Sequence, residues 1–386
     1  MKRRITGKYE ITQVAGEVVR AFIPDPLPPK PPLDLSEKRQ RLLEQATLAL
    51  GRLDSVTLLL PDPDLFLYAY VRRESVLSSQ IEGTQSSLAD LLLFELDEAP
   101  GAPLDDVVEV SNYVAALEYG AEQLQRLPLC NRLLREMHAR LLSKGRGSEK
   151  CPGEFRRSQN WIGGTRPGNA HFVPPPPHRV EECMAALERF LHDESVPYPA
   201  IVKAALAHVQ FETIHPFLDG NGRIGRLLIP AILHSEGVLS RPLLYLSLYF
   251  KEHRSEYYRL LDVVREKGDW EAWLRFFLEG VEQTSQNAVQ TARTLVALFQ
   301  EDSVRVRSLD RVASSALRVY DALRARPILT LPEASRRTGL SFPTVSKRME
   351  DLVRLGIVRE LTGQRRNRTF AYGRYLSILS EGVEPS

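Results

Sequence analysis

The sequence has 386 residues, of which 43% are hydrophobic, and it carries 51 Lys and Arg against 49 Asp and Glu. This length allows two or three globular domains, and the balanced charge names no partner by itself. Three cysteines without metal-ligand or CxxC spacing favour reduced thiols in a cytoplasmic protein. The basic N-terminus has no apolar core, and no run of about eighteen apolar residues occurs, so neither a signal peptide nor a membrane span is expected.

The first 35 residues show little periodicity, and PDPLPPKPP (residues 24–32) predicts an extended, polyproline-like arm. From there to about residue 300, apolar residues recur at helical spacing, which predicts a mainly α-helical body. The predicted helices are Leu35–Leu53, Asp64–Ser79, Asp105–Leu127, Cys130–Leu142, Arg179–His192, Ala200–Glu212, Gly222–Ser235, Arg254–Lys267 and Trp270 to about Gln300.

A Gly- and Pro-rich segment, residues 151–177, interrupts this helical pattern. Two short β-prone pieces flank its turn sequence GGTRPGNA and predict a small hairpin. An irregular stretch of this length inside a helical domain is more typical of a functional loop than of a plain connection. The residues of the two predicted strands are Asn160, Trp161, Ile162, His171, Phe172 and Val173.

The stretch HPFLDGNGRIGR, residues 215–226, combines one imidazole, one carboxylate, three glycines and two arginines. Pro216 cannot continue the preceding helix, so His215 is expected at an exposed helix exit. The glycines and asparagine at 220–222 can point successive backbone N–H groups inward. The helix that begins there adds the positive end of its dipole. This combination predicts an anion-binding turn.

Arg223 and Arg226 lie three residues apart on the first turn of that helix. Two guanidinium groups beside such a turn suit a polyphosphate, because each can bind two phosphate oxygens. Asp219 supplies a carboxylate, and one carboxylate with phosphate oxygens is a usual Mg²⁺ site. His215 is left to take a proton from an incoming hydroxyl. A single His-Pro or Asn-Gly pair is usually structural, but the whole set has no comparable structural explanation.

The C-terminal segment changes both rhythm and charge. Between residues 308 and 376, fourteen Arg and Lys stand against six Asp and Glu, a balance of +8, so the remainder of the +2 chain carries 2 − 8 = −6. Helices are predicted at Val312–Ala325, Leu331–Thr338 and Phe342–Leu355, followed by two alternating strands, IVREL and RTFAY. This order is the winged helix-turn-helix pattern.

The positive charge of this segment favours duplex DNA as a partner. A recognition helix meets base edges and phosphates with its first turns, and the loop between the two strands reaches phosphate or the minor groove. The alternative is that the domain mediates a homodimer or supports the helical body. The predicted DNA-contacting residues are Thr344, Ser346, Lys347, Arg348, Arg365, Arg366 and Arg368.

HPFLDGNGRIGR resembles, at every defining position, the HxFx(D/E)GNGRxxR motif of the Fic family. PGEFRRSQNWIGG followed by FVPPPP is similar to the family's flap, and the resemblance covers nearly the whole chain. It implies transfer of AMP from ATP to a Ser, Thr or Tyr hydroxyl of a target protein or of the chain itself, with release of diphosphate. The Doc branch, which phosphorylates instead, has a Lys near the second glycine. Gly222 departs from that branch and favours AMP transfer.

By this resemblance, His215 deprotonates the target hydroxyl and Asp219 holds Mg²⁺. Tyr258, on the helix after the motif, is expected to contact the adenosine while Tyr257 packs, because adjacent helical residues point about 100° apart. The flap strands are expected to offer a free edge to a target segment. The residues implied in binding ATP are Gly220, Asn221, Gly222, Arg223, Ile224, Gly225, Arg226 and Tyr258.

The segment SSQIEGTQSS, residues 78–87, resembles the inhibitory SxxxEG motif of the family. Ser78 and Glu82 are four residues apart on a predicted helix that Gly83 ends. Glu82 near Arg226 would form a charge-assisted pair and exclude the γ-phosphate of ATP from that guanidinium. The alternative for an isolated motif of this kind is a capped surface helix.

The sequence therefore predicts a mainly α-helical, autoinhibited adenylyltransferase with a small β-hairpin flap. Its expected regions are an N-terminal arm with the inhibitory helix at 1–104, a Fic catalytic core at 105–300 and a winged helix at 305–386. Two other functions stay open at this point. One is a DNA-binding regulator whose core senses nucleotide, although sensing needs no base at position 215. The other is a hydrolase that removes AMP, with Glu82 orienting water.

Overall fold

The computed structural model describes residues 5–14, 16–59, 63–96, 103–195, 198–363 and 368–382. The chain forms two compact units: the first comprises residues 1–54, 81–83 and 108–286, and the second comprises residues 55–80, 84–107 and 287–386. The two units are not the same division as the three functional regions expected from the sequence. Those regions stay a prediction. Within the described ranges, every helix is too short or too polar to cross a membrane.

The architecture is mainly α-helical, which confirms the predicted fold class. The helices are α1 (Glu37–Leu59), α2 (Pro63–Ile81), α3 (Leu88–Phe94), α4 (Leu104–Gln123), α5 (Asn131–Leu141), α6 (Pro177–His192), α7 (Ala200–Ile214), α8 (Asn221–Ser235), α9 (Ser247–Glu252), α10 (Arg254–Lys267), α11 (Trp270–Arg307), α12 (Ala313–Ala325), α13 (Leu331–Thr338), α14 (Phe342–Arg354) and α15 (Gly373–Ser380). Each predicted helix is present, most of them within four residues of the expected bounds, while α1 and α11 run six and about seven residues past their expected ends. Of the described helices, α3, α9 and α15, which have six to eight residues each, were not predicted.

The first unit opens with an antiparallel hairpin, β1 (Gly7–Val14) and β2 (Glu17–Pro24). The sequence analysis expected only irregular chain before the proline-rich arm, so this hairpin is a correction. The turn contains Gly16 with φ 83°, a left-handed conformation that glycine adopts at little cost. The alternation of apolar and polar residues in β1, together with that glycine, was the signal that could have revealed it.

Helix α7 is the centre of the first unit, because all residues from Ile201 to Ile214 are buried. A helix that is buried on every side lies in the core, with other elements packed around it. Here α6, α8 and α10 pack against it, and the Trp273 indole Nε1 of α11 donates to the Ala205 carbonyl at 2.8 Å. The end of α7 and the start of α8 are therefore held in a fixed position, and this is where the HPFLDGNGRIGR loop lies.

The C-terminal part of the second unit is a winged helix. Helices α12, α13 and α14 are followed by a sheet in which β5 (Thr369–Tyr372) pairs antiparallel with both β3 (Ile328–Thr330) and β4 (Val358–Glu360). The predicted winged helix is confirmed. Strand β3 was missed, because its three residues lie directly between two helices. The buried residues of this domain include Val319, Leu323, Val345, Met349 and Leu352.

Candidate active site

The motif loop joins α7 to α8 through two left-handed residues. His215 follows the last residue of α7 with φ 49° and ψ 61°, and Gly220 takes φ 75° before α8 begins. This conformation costs little for glycine but is uncommon and unfavourable for a histidine. The loop therefore needs support from its surroundings to hold the imidazole in place.

The buried side chain of Arg156 supplies part of that support. Its Nε donates to the His215 carbonyl at 2.8 Å and its Nη2 to the Pro175 carbonyl at 2.6 Å, while its backbone N–H donates to the Pro216 carbonyl at 2.9 Å. Unpaired carbonyls are costly inside a protein, so these bonds favour the observed turn. Burial lowers the pKa of Arg156 to about 10, and the guanidinium remains charged at neutral pH. The sequence analysis did not identify Arg156.

His138 of α5 holds the other side of the loop. Its Nδ1 accepts from the Gly153 N–H at 2.8 Å, so Nε2 carries the proton and donates to the Asp219 carbonyl at 3.0 Å. The ring stacks on Phe217 with 3.7 Å between centroids. Burial lowers the pKa of His138 to about 4, which keeps the imidazole neutral. The sequence analysis missed this residue, since a single histidine on a helix carries no motif.

His215 is more enclosed than the predicted exposed helix exit. The residue is half-buried, and its Nδ1 is enclosed by protein atoms. Burial lowers the pKa of the imidazole to about 3, and the charges of Arg156 and Arg265 act in the same direction. The ring is therefore neutral near pH 7, which is the form that can accept a proton.

The two motif arginines pair with different carboxylates. Arg223 is buried and forms ion pairs with Glu109 of α4 at 2.8 Å and with Asp219 at 3.4 Å. Arg226 is also buried, and its Nη2 donates to Glu82 Oε1 at 2.7 Å. Glu109 was not found from the sequence, because it lies far from the motif in the chain and belongs to no recognisable pattern.

Glu82 reaches the start of α8 directly above Gly222. A Cβ atom at position 222 would lie 2.4 Å from Glu82 Oε1, so a glycine there is what leaves room for the carboxylate. Burial of the Glu82 carboxyl opposes its ionisation, but the charge and hydrogen bond of Arg226 outweigh that effect and lower its pKa. The side chain is 32% exposed. Gly83 follows with φ 102°, and Ser78, one helical turn earlier, is fully buried.

Three predicted phosphate-binding residues make contacts within the loop or the core. The Asn221 side chain accepts from the Phe217 N–H and donates to the Phe217 carbonyl, both at 2.8 Å, so it braces the turn. Ile224 is fully buried, and a Cβ at Gly225 would lie 2.2 Å from Glu212 Oε1 of α7. Neither Ile224 nor Gly225 lines the cavity described next, since Ile224 is buried in the core and Gly225 lies against α7. The prediction that these two contact ATP is therefore corrected.

A cavity of about 720 Å³ opens over the motif, within the size range of small-molecule sites. It brings together His215, Asp219, Arg223 and Arg226 with residues from distant parts of the chain. Its lining also includes Glu82, Arg146, Asn160, Trp161, Ile162, Gly163, His171, Glu212, Leu218, Gly220, Asn221, Gly222, Tyr257, Tyr258, Leu261, Asp262 and Arg265.

The two tyrosines of α10 differ in exposure. Tyr257 is buried, and its hydroxyl lies 2.9 Å from His208 Nε2. His208 Nδ1 donates to the Gly225 carbonyl at 2.8 Å, so Tyr257 is the donor to Nε2. Tyr258 is 40% exposed and also lines the cavity. Its predicted contact with adenosine stays a prediction.

The predicted flap hairpin reduces to one bridge. Ile162 and Phe172 exchange backbone hydrogen bonds of 2.8 and 3.1 Å, with no longer ladder between the two described pieces. Gly163 and Gly164 are both left-handed, and a 3₁₀ turn follows at Pro167–Asn169. These bends separate the two pieces after a single pair, so the two three-residue strands expected from the sequence are wrong.

One edge of the flap is already paired. The Phe22 N–H of β2 donates to the Val173 carbonyl at 2.8 Å, and Val173 is buried against the hairpin. The prediction of a free edge is therefore wrong at Val173, because the N-terminal hairpin that occupies it was not foreseen. His171 is exposed, and its Nε2 lies 2.8 Å from Asp262 Oδ2 of α10.

The surroundings of Asp219 suit a metal ion that is bound partly by the protein and partly by phosphate oxygens, rather than one bound by protein side chains alone. The Asp219 Oδ1 accepts from the Gly220 N–H at 2.5 Å, and the side chain lines the cavity. Among the residues that the structure describes, no three His, Cys, Asp or Glu side chains are grouped to hold a metal ion. A Mg²⁺ ion held by Asp219, phosphate oxygens and water is compatible with this arrangement.

The predicted DNA-contacting residues of α14 do not share one environment. Lys347 is exposed, and Thr344 and Ser346 are half-exposed. Arg348 turns inward and forms a buried ion pair with Asp351 at 2.9 Å. The prediction that Arg348 contacts DNA is corrected, because its guanidinium neutralises a carboxylate inside the domain.

The predicted wing residues are only partly described. Arg368 pairs with Glu360 at 2.7 Å and with Glu350 at 3.3 Å. Arg365 and Arg366 lie outside the described residues. Exposed Lys347 therefore remains the clearest cation for a DNA contact in this part of the structure.

Family models match three segments of the chain. The Fic/DOC family N-terminal model matches residues 40–122, the Fic/DOC family model matches residues 128–233, and a winged helix-turn-helix DNA-binding model matches residues 314–359. Residues 40–122 and 128–233 thus form a Fic/DOC region, and a winged helix-turn-helix segment follows it. The resemblance inferred from HPFLDGNGRIGR is confirmed.

Similar chains named protein adenylyltransferase Fic occur in several Drosophila species. The protein of Drosophila grimshawi is 30% identical over 253 residues, which cover 63% of this chain and 49% of that protein. The protein of Drosophila melanogaster is 33% identical over 209 residues, which cover 53% and 39%. The chain thus spans about half the length of these relatives or less.

Two solved structures share the fold. A Fic family protein from Desulfovibrio desulfuricans G20 has a TM-score of 0.55 and 21% identity, covering 89% of this chain and 98% of that one. A Fic domain containing signaling protein from Bacteroides thetaiotaomicron has a TM-score of 0.53 and 23% identity, covering 65% and 97%. At these identities the likeness shows the fold alone.

The enclosure of His215 makes a prediction that needs no enzymatic assay. With a pKa of about 3, its imidazole is expected to stay neutral from pH 8 down to pH 5, whereas an ordinary histidine titrates near 6.5. NMR of the protein labelled at histidine, with His215→Ala to assign the signal, measures this directly. A His215 midpoint between pH 6 and 7 would contradict the described burial.

Proposed function

We propose that the chain is a protein adenylyltransferase that transfers AMP from ATP to a hydroxyl of a target protein or of itself. The observation that carries the proposal is the cavity that combines neutral His215, the carboxylate of Asp219 and the buried cation Arg226 at the start of one helix. Relatives named protein adenylyltransferase Fic support the same activity. A cytoplasmic location stays a prediction from the cysteine composition.

The proposed reaction is a substitution at the α-phosphorus of ATP. The target hydroxyl oxygen bonds to the α-phosphorus of ATP, the bond from that phosphorus to the oxygen bridging to the β-phosphate breaks, and diphosphate leaves. His215 accepts the hydroxyl proton, which its neutral state allows. The N-terminal N–H groups of α8 face the phosphates, since a helix N-terminus attracts anions. Arg226 is proposed to bind the terminal phosphate.

Mg²⁺ is proposed at Asp219, where it would offset the negative charge of the phosphates. Arg223 remains close to this carboxylate and is itself held by Glu109. The role proposed for Arg223 is therefore to orient Asp219 as well as to attract phosphate. His138 fixes the backbone of the same residue through its carbonyl.

The enzyme is proposed to be restrained by Glu82. The carboxylate and the γ-phosphate are both anions that need the Arg226 guanidinium, and Glu82 occupies it at 2.7 Å. The absence of a Cβ at Gly222 is what permits this approach. Displacement of Glu82 would thus be required before ATP binds with its γ-phosphate on Arg226.

The first functional test is AMP incorporation by the full chain with ATP and Mg²⁺, followed by intact mass. Glu82→Gly is expected to raise incorporation by roughly 10²-fold, because a competing charge pair of this kind costs a few kcal/mol. Glu82→Gln is the matched control, since it removes the charge and keeps the size of the side chain, and it should have the same direction of effect. Adding His215→Ala or Arg226→Ala to Glu82→Gly should return incorporation to background.

Wild-type incorporation in Glu82→Gly would contradict the restraint. Unchanged incorporation after His215→Ala would contradict the base. If Glu82→Gly instead loses the ability to remove AMP from a modified protein, the hydrolase is the better interpretation, because Glu82 would then be orienting water.

The winged helix is proposed to bind duplex DNA through exposed cations. Lys347→Ala should weaken binding of any duplex sequence and reduce the salt slope by about one, as expected for one lost phosphate contact. Fluorescence anisotropy of the full chain with a mixed-sequence duplex, titrated at several salt concentrations, measures both. Lys150→Ala, an exposed lysine of the first unit, is the control. Equal affinity of wild type and Lys347→Ala would place the DNA contact elsewhere or exclude it.

A further inference from the structure

Arg146 lines the cavity although it belongs to no motif singled out in the sequence. It stands between two left-handed glycines, Gly145 with φ 76° and Gly147 with φ 86°, in the loop that follows α5. A Cβ at position 147 would lie 2.9 Å from Asp219 Oδ2. The two glycines therefore allow the loop to pass close to the Asp219 carboxylate while it presents the arginine between them.

Helix α4 fixes this loop with two residues one turn apart. The Asn112 Nδ2 donates to the Lys144 carbonyl at 2.8 Å, and the Ser143 hydroxyl donates to Asn112 Oδ1 at 3.2 Å. Glu109, three residues earlier, forms an ion pair with Arg146 Nη2 at 3.0 Å. Residues three apart share a helix face, so α4 holds both the loop backbone and its arginine. Arg146 is thus preorganised toward the cavity.

The charges around Glu109 leave a cation facing the cavity. Buried Arg223 already neutralises Glu109 at 2.8 Å, and Arg146 is a second guanidinium on the same carboxylate. The Arg146 side chain is 54% exposed, in contrast to Arg223. A carboxylate shared by two guanidinium groups leaves positive charge available, and the exposed member is the one that a ligand can reach.

We propose that Arg146 binds the two phosphates of ATP that leave as diphosphate. The inference rests on the proposed AMP transfer. Arg146 pairs with Glu109, Glu109 pairs with Arg223, and Arg223 pairs with Asp219. Arg146 therefore belongs to the same group of residues as the proposed phosphate ligands. The contacts that hold His215 run instead to Arg156. The α-phosphate must lie beside His215 for the reaction, and the loop of Arg146 passes the Asp219 carboxylate, so the phosphates assigned to Arg146 are the two beyond the α-phosphate.

The test measures ligand binding with chemistry switched off. In the full chain carrying Glu82→Gly and His215→Ala, calorimetry with Mg²⁺ gives dissociation constants for ATP, inorganic diphosphate and AMP. Adding Arg146→Ala is expected to raise the constants for ATP and diphosphate by about tenfold and to leave AMP within about twofold, since a hydrogen bond to a charged group is worth a factor of this order. Arg146→Lys keeps a point charge, so its dissociation constants for ATP and diphosphate should lie between those of the parent protein and of Arg146→Ala.

Arg132→Ala is the matched control: this arginine of α5 pairs with Glu136 at 2.9 Å, is 74% exposed and does not line the cavity. It should change none of the three constants. Unchanged ATP binding in Arg146→Ala, or an equal loss for all three ligands, overturns the assignment, because the second result indicates a structural role. A parent protein that binds none of the ligands overturns the proposed AMP transfer together with this inference, whereas the first two outcomes leave the transfer intact.

Discussion

The site depends on one buried guanidinium that two anions require. Arg226 lies inside the first unit, and Glu82 occupies it at 2.7 Å. The Arg226 guanidinium is buried and charged, so removing the Glu82 carboxylate that pairs with it is unfavourable. Loss of Glu82 without a replacement would therefore be costly, and a phosphate group is a replacement of the right charge and geometry. In the restrained state Glu82 binds Arg226, and in the proposed ATP complex the γ-phosphate binds the same guanidinium.

Buried polar groups hold the motif loop, and with it the His215 imidazole, in a fixed position relative to Arg226. Arg156 fixes the carbonyls of the left-handed turn, and His138 fixes the carbonyl of Asp219. Both belong to segments distant from the motif, so the tertiary structure positions the loop in addition to the motif's own Asn221. Glu212, buried at the cavity wall with a pKa that burial raises to about 7, adds a carboxyl that is only partly ionised near neutral pH beside Arg226. The electrostatics of the site therefore limit the negative charge that competes with a nucleotide.

The sequence predicted what is local and periodic. Helices such as α10 and α13 were predicted at their observed bounds, since their apolar spacing and flanking residues lie within one segment. The compact motif also predicted that His215, Asp219 and Arg226 would meet in one cavity. It could not reveal Glu109 or Arg156, because contacts between distant segments leave no spacing to detect. The inward turn of Arg348 likewise depends on Asp351 and on core packing, which charge counting ignores.

The central claim is that Glu82 and ATP compete for Arg226, and the direct measurement is the affinity for ATP itself. Isothermal titration of ATP with Mg²⁺ into His215→Ala and into His215→Ala with Glu82→Gln compares the two without turnover. Relief of the charge pair is expected to tighten ATP binding by at least about tenfold, equivalent to roughly 1.4 kcal/mol. Equal dissociation constants for the two proteins would contradict the account, because the Glu82–Arg226 pair would then have no part in nucleotide binding.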